Sequence, residues 1–428
     1  QQFCVMAGLV LISSSVFQLN FSAKLKVKSS KSATTQSRKT LSVILKRQSM
    51  KRTIFTILAS FLVSYSFAQN YEQQIAKAEE FVSKKDFCNT YETFKPLLID
   101  SDQGSIYDYY YASLSAVNCE KNEDALNWLN VAAEKGLGLK DGEIDFIKKD
   151  ESFKELKNTE KWASIINTMQ NKFADKKLIE EAKSKEWVST ITKNAIQQKK
   201  SKFNTADSGF ALYYSSAENI NVPYLVYVPK NYNANKPIKA FIYLHGGINS
   251  TENFNFDKPE ITQEPIFKVA DHFNSIIIYP FGKKDFGWMN QNKAFENIYK
   301  ILNQVKSTYN IDKKNIYLGG MSNGGTATFW FASQRPSIFT GFYAISANPK
   351  LEIGNINFNF DKPFYEIHTK DDSVFKFDDV EKIYNTNKSR NWHFESIANG
   401  DHGIIYQQNG NEVLENLLKE LIENKNAR

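Results

Sequence analysis

The stretch Asn315-Ile316-Tyr317-Leu318-Gly319-Gly320-Met321-Ser322-Asn323-Gly324-Gly325-Thr326 decides how this chain reads. Asn315–Gly319 has the texture of a strand, and a helical pattern runs from Thr326 to Ser333. Between them stands one serine with glycine two positions before it and two after. A strand that turns directly into a helix brings neighbouring backbone close together, and glycine leaves the room for it. Such a turn lifts the Ser322 hydroxyl out of the sheet. It also aims the Asn323 N–H, together with the partial positive charge of a helix N-terminus, at the place where an oxyanion would form. Ser322 is therefore the candidate nucleophile and Asn323 a candidate oxyanion donor.

Working outward, short β-branched and aromatic runs recur at Phe210–Tyr214, Pro223–Val228, Ala240–Leu244, Ser275–Tyr279, Phe342–Ala347, Phe364–Ile367 and Trp392–Ser396. Helical patterns fill most gaps, notably Lys293–Tyr309 and Glu412–Glu423. Strands alternating with helices imply a mostly parallel sheet covered on both faces. The first two runs are joined by a short polar loop and should form an antiparallel hairpin at one edge.

A serine is a weak nucleophile without a base. The chain offers His245, His272, His368, His393 and His402. On a sheet of this kind the partners follow the serine in the order acid, then histidine. His402 fits as base, because Gly400 and Gly403 allow a tight loop after the last strand. Asp371 and Asp372 both follow the strand Phe364–Ile367 and compete for the acid. Asp401 reads as a solvated loop residue. Upstream, Tyr243-Leu244-His245-Gly246-Gly247 ends an apolar strand, so Gly246 and Gly247 are candidates to complete an oxyanion hole, with His245 bracing the loop. Ile248–Ile261 and Phe281–Gln291 lie between core elements, and from them Trp288 and Phe286 are candidate linings of an acyl or aryl pocket.

Together these residues resemble the α/β-hydrolase family, especially carboxylesterases of the feruloyl-esterase and polyhydroxybutyrate-depolymerase type. The likeness covers about residues 206–428 and implies an eight-stranded sheet. It also implies hydrolysis of carboxylic esters through an acyl-enzyme. The family pattern His-Gly-x-x-Asp-x-x-Val favours Asp372, although Thr369 replaces the glycine and the spacing to Val374 is one residue short. The resemblance thus assigns Ser322 to attack, His402 to shuttle the proton and Asp372 to hold the imidazole. A serine peptidase of the prolyl-oligopeptidase clan would carry the same three residues, but it would bring repeated β patterns that the N-terminal half lacks. An exported binding protein with a relic hydrolase domain is a further alternative.

Residues 69–175 read as an all-α region. Tyr109–Ala116 and Ala125–Leu129, joined by a polar turn, resemble a tetratricopeptide (TPR) hairpin, which would suit a protein partner. Residues 176–205, rich in Lys, Glu and Gln, read as a solvated helical linker. Cys88 and Cys119 are either a disulfide or two buried thiols on neighbouring helices.

Residues 50–68 have a basic start at Met50-Lys51-Arg52, an apolar run and the small residues Ser66 and Ala68 before Gln69. That is the pattern of a cleaved signal peptide, implying export and no lasting membrane span. Residues 1–49 read as a doubtful N-terminal extension. The formal charge of +7 is misleading, since ten basic and no acidic residues fall in positions 1–52. Without residues 1–68 the charge falls by ten to −3, which removes the case for a nucleic-acid partner. No metal-binding spacing, phosphate loop or cofactor motif is present, so no cofactor is expected.

Overall fold

Each of the apolar runs read above coincides with a strand. They are β1 (Gly209–Ala217), β2 (Ile220–Val228), β3 (Ile238–Leu244), β4 (Ser275–Pro280), β5 (Ile311–Met321), β6 (Gly341–Ile345), β7 (Phe364–Thr369) and β8 (Trp392–Ile397). The computed structural model describes residues 71–98, 104–200, 208–351 and 355–423. The leader readings for 1–49 and 50–68 lie outside the described residues. The chain divides into two compact units, one ending at Gln170 and the other beginning at Asn171.

In the second unit all eight strands form one sheet in the order β1-β2-β4-β3-β5-β6-β7-β8. β2 runs antiparallel to β1 and β4, and every other pairing is parallel. Parallel neighbours need crossover helices, which cover both faces and bury the strands on both sides. β3 shows the result. Ala240, Ile242 and Leu244 pack with α8 (Asn292–Thr308) and α9 (Asn323–Gln334), whereas Phe241 and Tyr243 pack with α7 (Pro265–His272) and α11 (Gly410–Glu423). The period of two along a strand sends successive side chains to opposite layers.

α6 (Glu160–Lys200) runs through the stretch read as a solvated linker. In the second unit its Ile191 and Ala195 are buried in the two core layers. Gln198 is buried as well and accepts hydrogen bonds from the Tyr213 and Tyr309 hydroxyls. Spacings of four and three residues put these three side chains on one helix face, so the stretch is solvated on its other side only.

The first unit is helical throughout its described residues: α1 (71–83), α2 (Phe87–Leu98), α3 (Ile106–Val117), α4 (Asn122–Lys135), α5 (Glu143–Lys149) and the start of α6. Ser105 opens α3 with a reciprocal capping box to Asp108, satisfying two backbone donors at the helix start. Ala112, Ala116, Ala125, Ala132 and Ala133 are fully buried. Small residues of this kind allow α3 and α4 close approach, and the Ser113 hydroxyl donates across to the Ala125 carbonyl at 2.7 Å. Cys88 and Cys119 form a disulfide, with Cα atoms 5.3 Å apart.

Candidate active site

Ser322 is the junction between β5 and α9, with φ 53° and ψ −121°. A non-glycine residue at positive φ is strained and persists only where its surroundings enforce it. Here the enforcement comes from three strands. The Ser322 N–H donates to the Ile345 carbonyl at the end of β6 at 2.9 Å. Gly320 and Gly324 both press on the Leu244 carbonyl at the end of β3. A Cβ added to Gly320 would lie 2.1 Å from that oxygen, and one added to Gly324 only 1.8 Å. Glycine at both places is thus a packing requirement of the turn.

His402 reaches back to this serine from the loop after β8. Its Nε2 lies 2.9 Å from Ser322 Oγ. Its Nδ1 lies 2.9 and 3.1 Å from the two oxygens of Asp372. With the carboxylate holding a proton on Nδ1, Nε2 is left as an acceptor for the serine hydroxyl.

Asp372 is buried, and its Oδ1 accepts the amides of Val374 at 2.8 Å and Phe375 at 2.7 Å. Asp371, the competing carboxylate, is exposed. His368, on β7, is fully buried beside the acid. Its Nε2 donates to the Phe375 carbonyl at 2.8 Å and stands 3.4 Å from Asp372 Oδ2. Burial lowers the His368 pKa, so the ring is held toward its neutral form next to the carboxylate.

Asp401 departs from its reading as a merely solvated residue. It is exposed, yet its Oδ1 accepts from the Ser373 amide at 3.1 Å, the Ser373 hydroxyl at 2.7 Å and the His402 amide at 2.7 Å. The His402 amide and Ser373 hold its carboxyl below the usual aspartate range. One side chain therefore ties the histidine loop to the loop carrying the acid.

The loop after β3 closes over the serine from the other side. A Cβ on Gly246 would come within 2.9 Å of Ser322 Cβ, and Gly247 has φ 71°. His245 braces this loop. Its Nδ1 donates to the Gly246 carbonyl at 2.7 Å, and its Nε2 accepts the Gly282 amide at 2.9 Å. Burial pushes the ring's pKa down to about 4, so it is a neutral bracket. The Asn323 side chain accepts the Ile248 amide at 3.1 Å, joining this loop to the serine turn. The Asn323 N–H itself stands at the first position of α9, where a backbone donor has no partner within the helix.

Ser322, His402, Gly246 and Gly247 open into one cavity of about 430 Å³. Its remaining lining includes Thr251, Asn255, Ile261, Glu264, Tyr279, Phe281, Met321 and Tyr406. Glu264 Oε2 accepts the Tyr406 hydroxyl at 2.9 Å. Burial raises the Glu264 pKa.

Comparison with known proteins shows what the chain is similar to. No family model matches the chain. A bifunctional acetylxylan esterase/xylanase of Neocallimastix patriciarum is 27% identical over 44% of this chain and 27% of its own length. A protein described as a probable feruloyl esterase C of Aspergillus flavus is 31% identical over 29% of this chain and 45% of its own length. The chain thus spans less than half the length of these curated relatives. The sheet unit has the fold of the α/β-hydrolases, an eight-stranded, mostly parallel sheet. Among solved structures, Est1E from Butyrivibrio proteoclasticus covers 51% of this chain and 99% of its own at 15% identity, with a TM-score of 0.40.

Trp288 and Phe286, read as candidate pocket linings, are not among the residues lining this cavity. Trp288 is buried and packs beneath Gly282 and edge-on to His245, with ring centroids 5.1 Å apart. It supports the cavity wall from behind. Phe286 is likewise buried, in a small cluster with Ala217, Val222 and Ala294. Aromatic loop residues gain most by burial, which sequence position alone did not reveal. Tyr406 and Glu264 were missed, because the contact between them spans 142 positions. His272 and His393 do not line the cavity. Among the described residues no group of His, Cys, Asp or Glu is placed to hold a metal, and no helix is long and apolar enough to cross a membrane.

Proposed function

We propose that this protein is a serine hydrolase of carboxylic esters, working through Ser322, His402 and Asp372. One observation carries the reading: a single imidazole stands within hydrogen-bond distance of both the serine hydroxyl and a buried carboxylate. Similarity to the two curated esterases adds support.

In the proposed reaction Ser322 Oγ attacks the ester carbonyl carbon while His402 Nε2 takes its proton. Asp372 stabilises the imidazolium that forms and stays ionised itself. The oxyanion is met by the amide of Asn323 and by an amide of the Gly246–Gly247 loop. As the intermediate collapses, the C–O bond to the alcohol breaks. His402 returns the proton to the leaving oxygen, and the acyl group remains on Ser322. Water then attacks the acyl-enzyme, giving its proton to His402. The carboxylic acid leaves and Ser322 regains its proton. His245 takes no part as a base, because both its nitrogens are engaged and burial keeps it neutral.

The test is hydrolysis of aryl esters of increasing acyl length by the wild type and Ser322→Ala, alongside matched aminoacyl amides. Ester turnover lost in the variant supports the reading. Amide turnover exceeding ester turnover would favour the peptidase, and equal turnover by both proteins would defeat it.

We also read Met50–Ala68 as a signal sequence removed on export. The Cys88–Cys119 disulfide fits an oxidising compartment. A mature protein beginning at Gln69 in the exported fraction would agree, whereas retention of Met50–Ala68 in that fraction would not. The helical unit is read as a surface for a protein partner.

A further inference from the structure

The cavity holding Ser322 and His402 has a lining whose charge is one-sided. Glu264 is its carboxyl group, and the lining includes no lysine or arginine. Of its two histidines, His245 is neutral and braced at both nitrogens, and His402 is committed to Ser322 and Asp372. The cavity therefore has nothing with which to neutralise an anionic substituent.

Glu264 is not a stray surface acid. It stands at the N-cap position of α7 without a side-chain bond to the helix, and Pro265 follows it directly. One carboxylate oxygen is held by the Tyr406 hydroxyl. Tyr406 comes from the loop that begins at His402, so the residue that orients Glu264 is tied to the residue that activates the serine. The hydroxyl of the fully buried Tyr243 lies within electrostatic reach of both groups. The surrounding walls, from Tyr279, Phe281 and Ile261, are aromatic and apolar. Glu264 is half-buried and its contact with Tyr406 is exposed; a carboxylate oxygen there accepts from a neutral donor and repels a like charge at short range.

We propose that Glu264, oriented by Tyr406, is a specificity-determining residue of this hydrolase: it accepts a hydrogen bond from a substrate hydroxyl and turns away esters that carry an anion. The assignment rests on the ester-hydrolase reading above and adds to it a substrate class, neutral hydroxyl-bearing esters. Its carboxylate supplies the acceptor, and the hydroxyl keeps its proton throughout. A site built to accept from a hydroxyl discriminates against an analogue that cannot donate, because its own polar group is left without a partner.

The experiment uses matched methyl arylacetates bearing a 4-hydroxyl, 4-methoxy or 4-carboxylate group, and a second series of aryl acetates with the same substituents on the alcohol ring. Ratios of kcat/KM are taken within one protein sample, so the folded fraction cancels. In at least one series the wild type should prefer hydroxyl over methoxy by about tenfold and disfavour carboxylate by about tenfold. Glu264→Gln should bring the carboxylate-to-methoxy ratio to within about twofold of unity. Tyr406→Phe keeps the charge and should still reject the carboxylate ester. Wild-type ratios near one in both series, or a carboxylate penalty unchanged in Glu264→Gln, would overturn the inference. Absence of turnover with every ester would overturn the ester-hydrolase reading and this inference with it.

Discussion

Asp371 and Asp372 are neighbours of identical chemistry, and the sequence separates them only through an imperfect match to a family pattern. Burial does. Asp372 faces inward to His402 and two backbone amides, whereas its neighbour faces water. Asp372→Asn should lower kcat about 10⁴-fold by presenting the wrong tautomer, and Asp371→Asn should stay within about twofold of wild type. Steady-state kinetics on one aryl ester checks both. Asp401→Ala should fall between them, since it loosens the link from Ser373 to the His402 loop. That role was invisible in sequence because the link joins two loops 28 positions apart. His245 gives a prediction in pH. Its folded pKa is lowered to about 4 from 6.5. Its neutral form therefore stabilises the fold above 6.5, and this contribution drains away between pH 6.5 and 4, by about 3 kcal/mol in all. Glu366, a fully buried acid whose pKa burial raises, acts in the opposite sense. The comparison that isolates the imidazole is wild type against His245→Gln in denaturant melts. The gap between them should narrow as pH falls through that window, and a constant gap would contradict the assignment.

At the level of elements, the strands were legible because each keeps an apolar run in the middle and turn residues at its ends. α9 was legible only in part. Its helix begins at Asn323, three residues before the pattern read from Thr326. Asn323-Gly324-Gly325 has poor helix propensity, and these residues are helical because the serine turn delivers them there. The same turn explains the sensitivity expected of Gly324. Gly324→Ala drives a Cβ to 1.8 Å from the Leu244 carbonyl, so β3 and α9 must part. We expect a loss of roughly 2–4 kcal/mol, with activity falling further than the folded fraction. Gly403→Ala, whose added Cβ meets nothing nearer than 3.6 Å, should be tolerated within about 0.5 kcal/mol. Thermal melts and kinetics on the two variants provide the contrast. α6 shows why the linker reading was incomplete. Its many charged residues signalled a solvated helix, while the widely spaced Ile191 and Ala195 that bury its other face are few beside them.

Across the whole molecule, the sheet unit and the helical unit are stabilised differently. The sheet unit relies on two thick apolar layers, one on each face of its sheet. The helical unit has a smaller core and a disulfide bridging residues 31 apart. Small cores gain more from such a cross-link. Replacing Cys88 and Cys119 by alanine should cost the helical unit about 2–4 kcal/mol, read as loss of its amide-exchange protection. The central claim, that Ser322 is the nucleophile and His402 its base, is tested most directly by fluorophosphonate labelling of the full protein followed by peptide mapping. The expected result is one adduct on Ser322, absent in Ser322→Ala and strongly slowed in His402→Ala. An adduct on another residue, or equal labelling of wild type and Ser322→Ala, would contradict it.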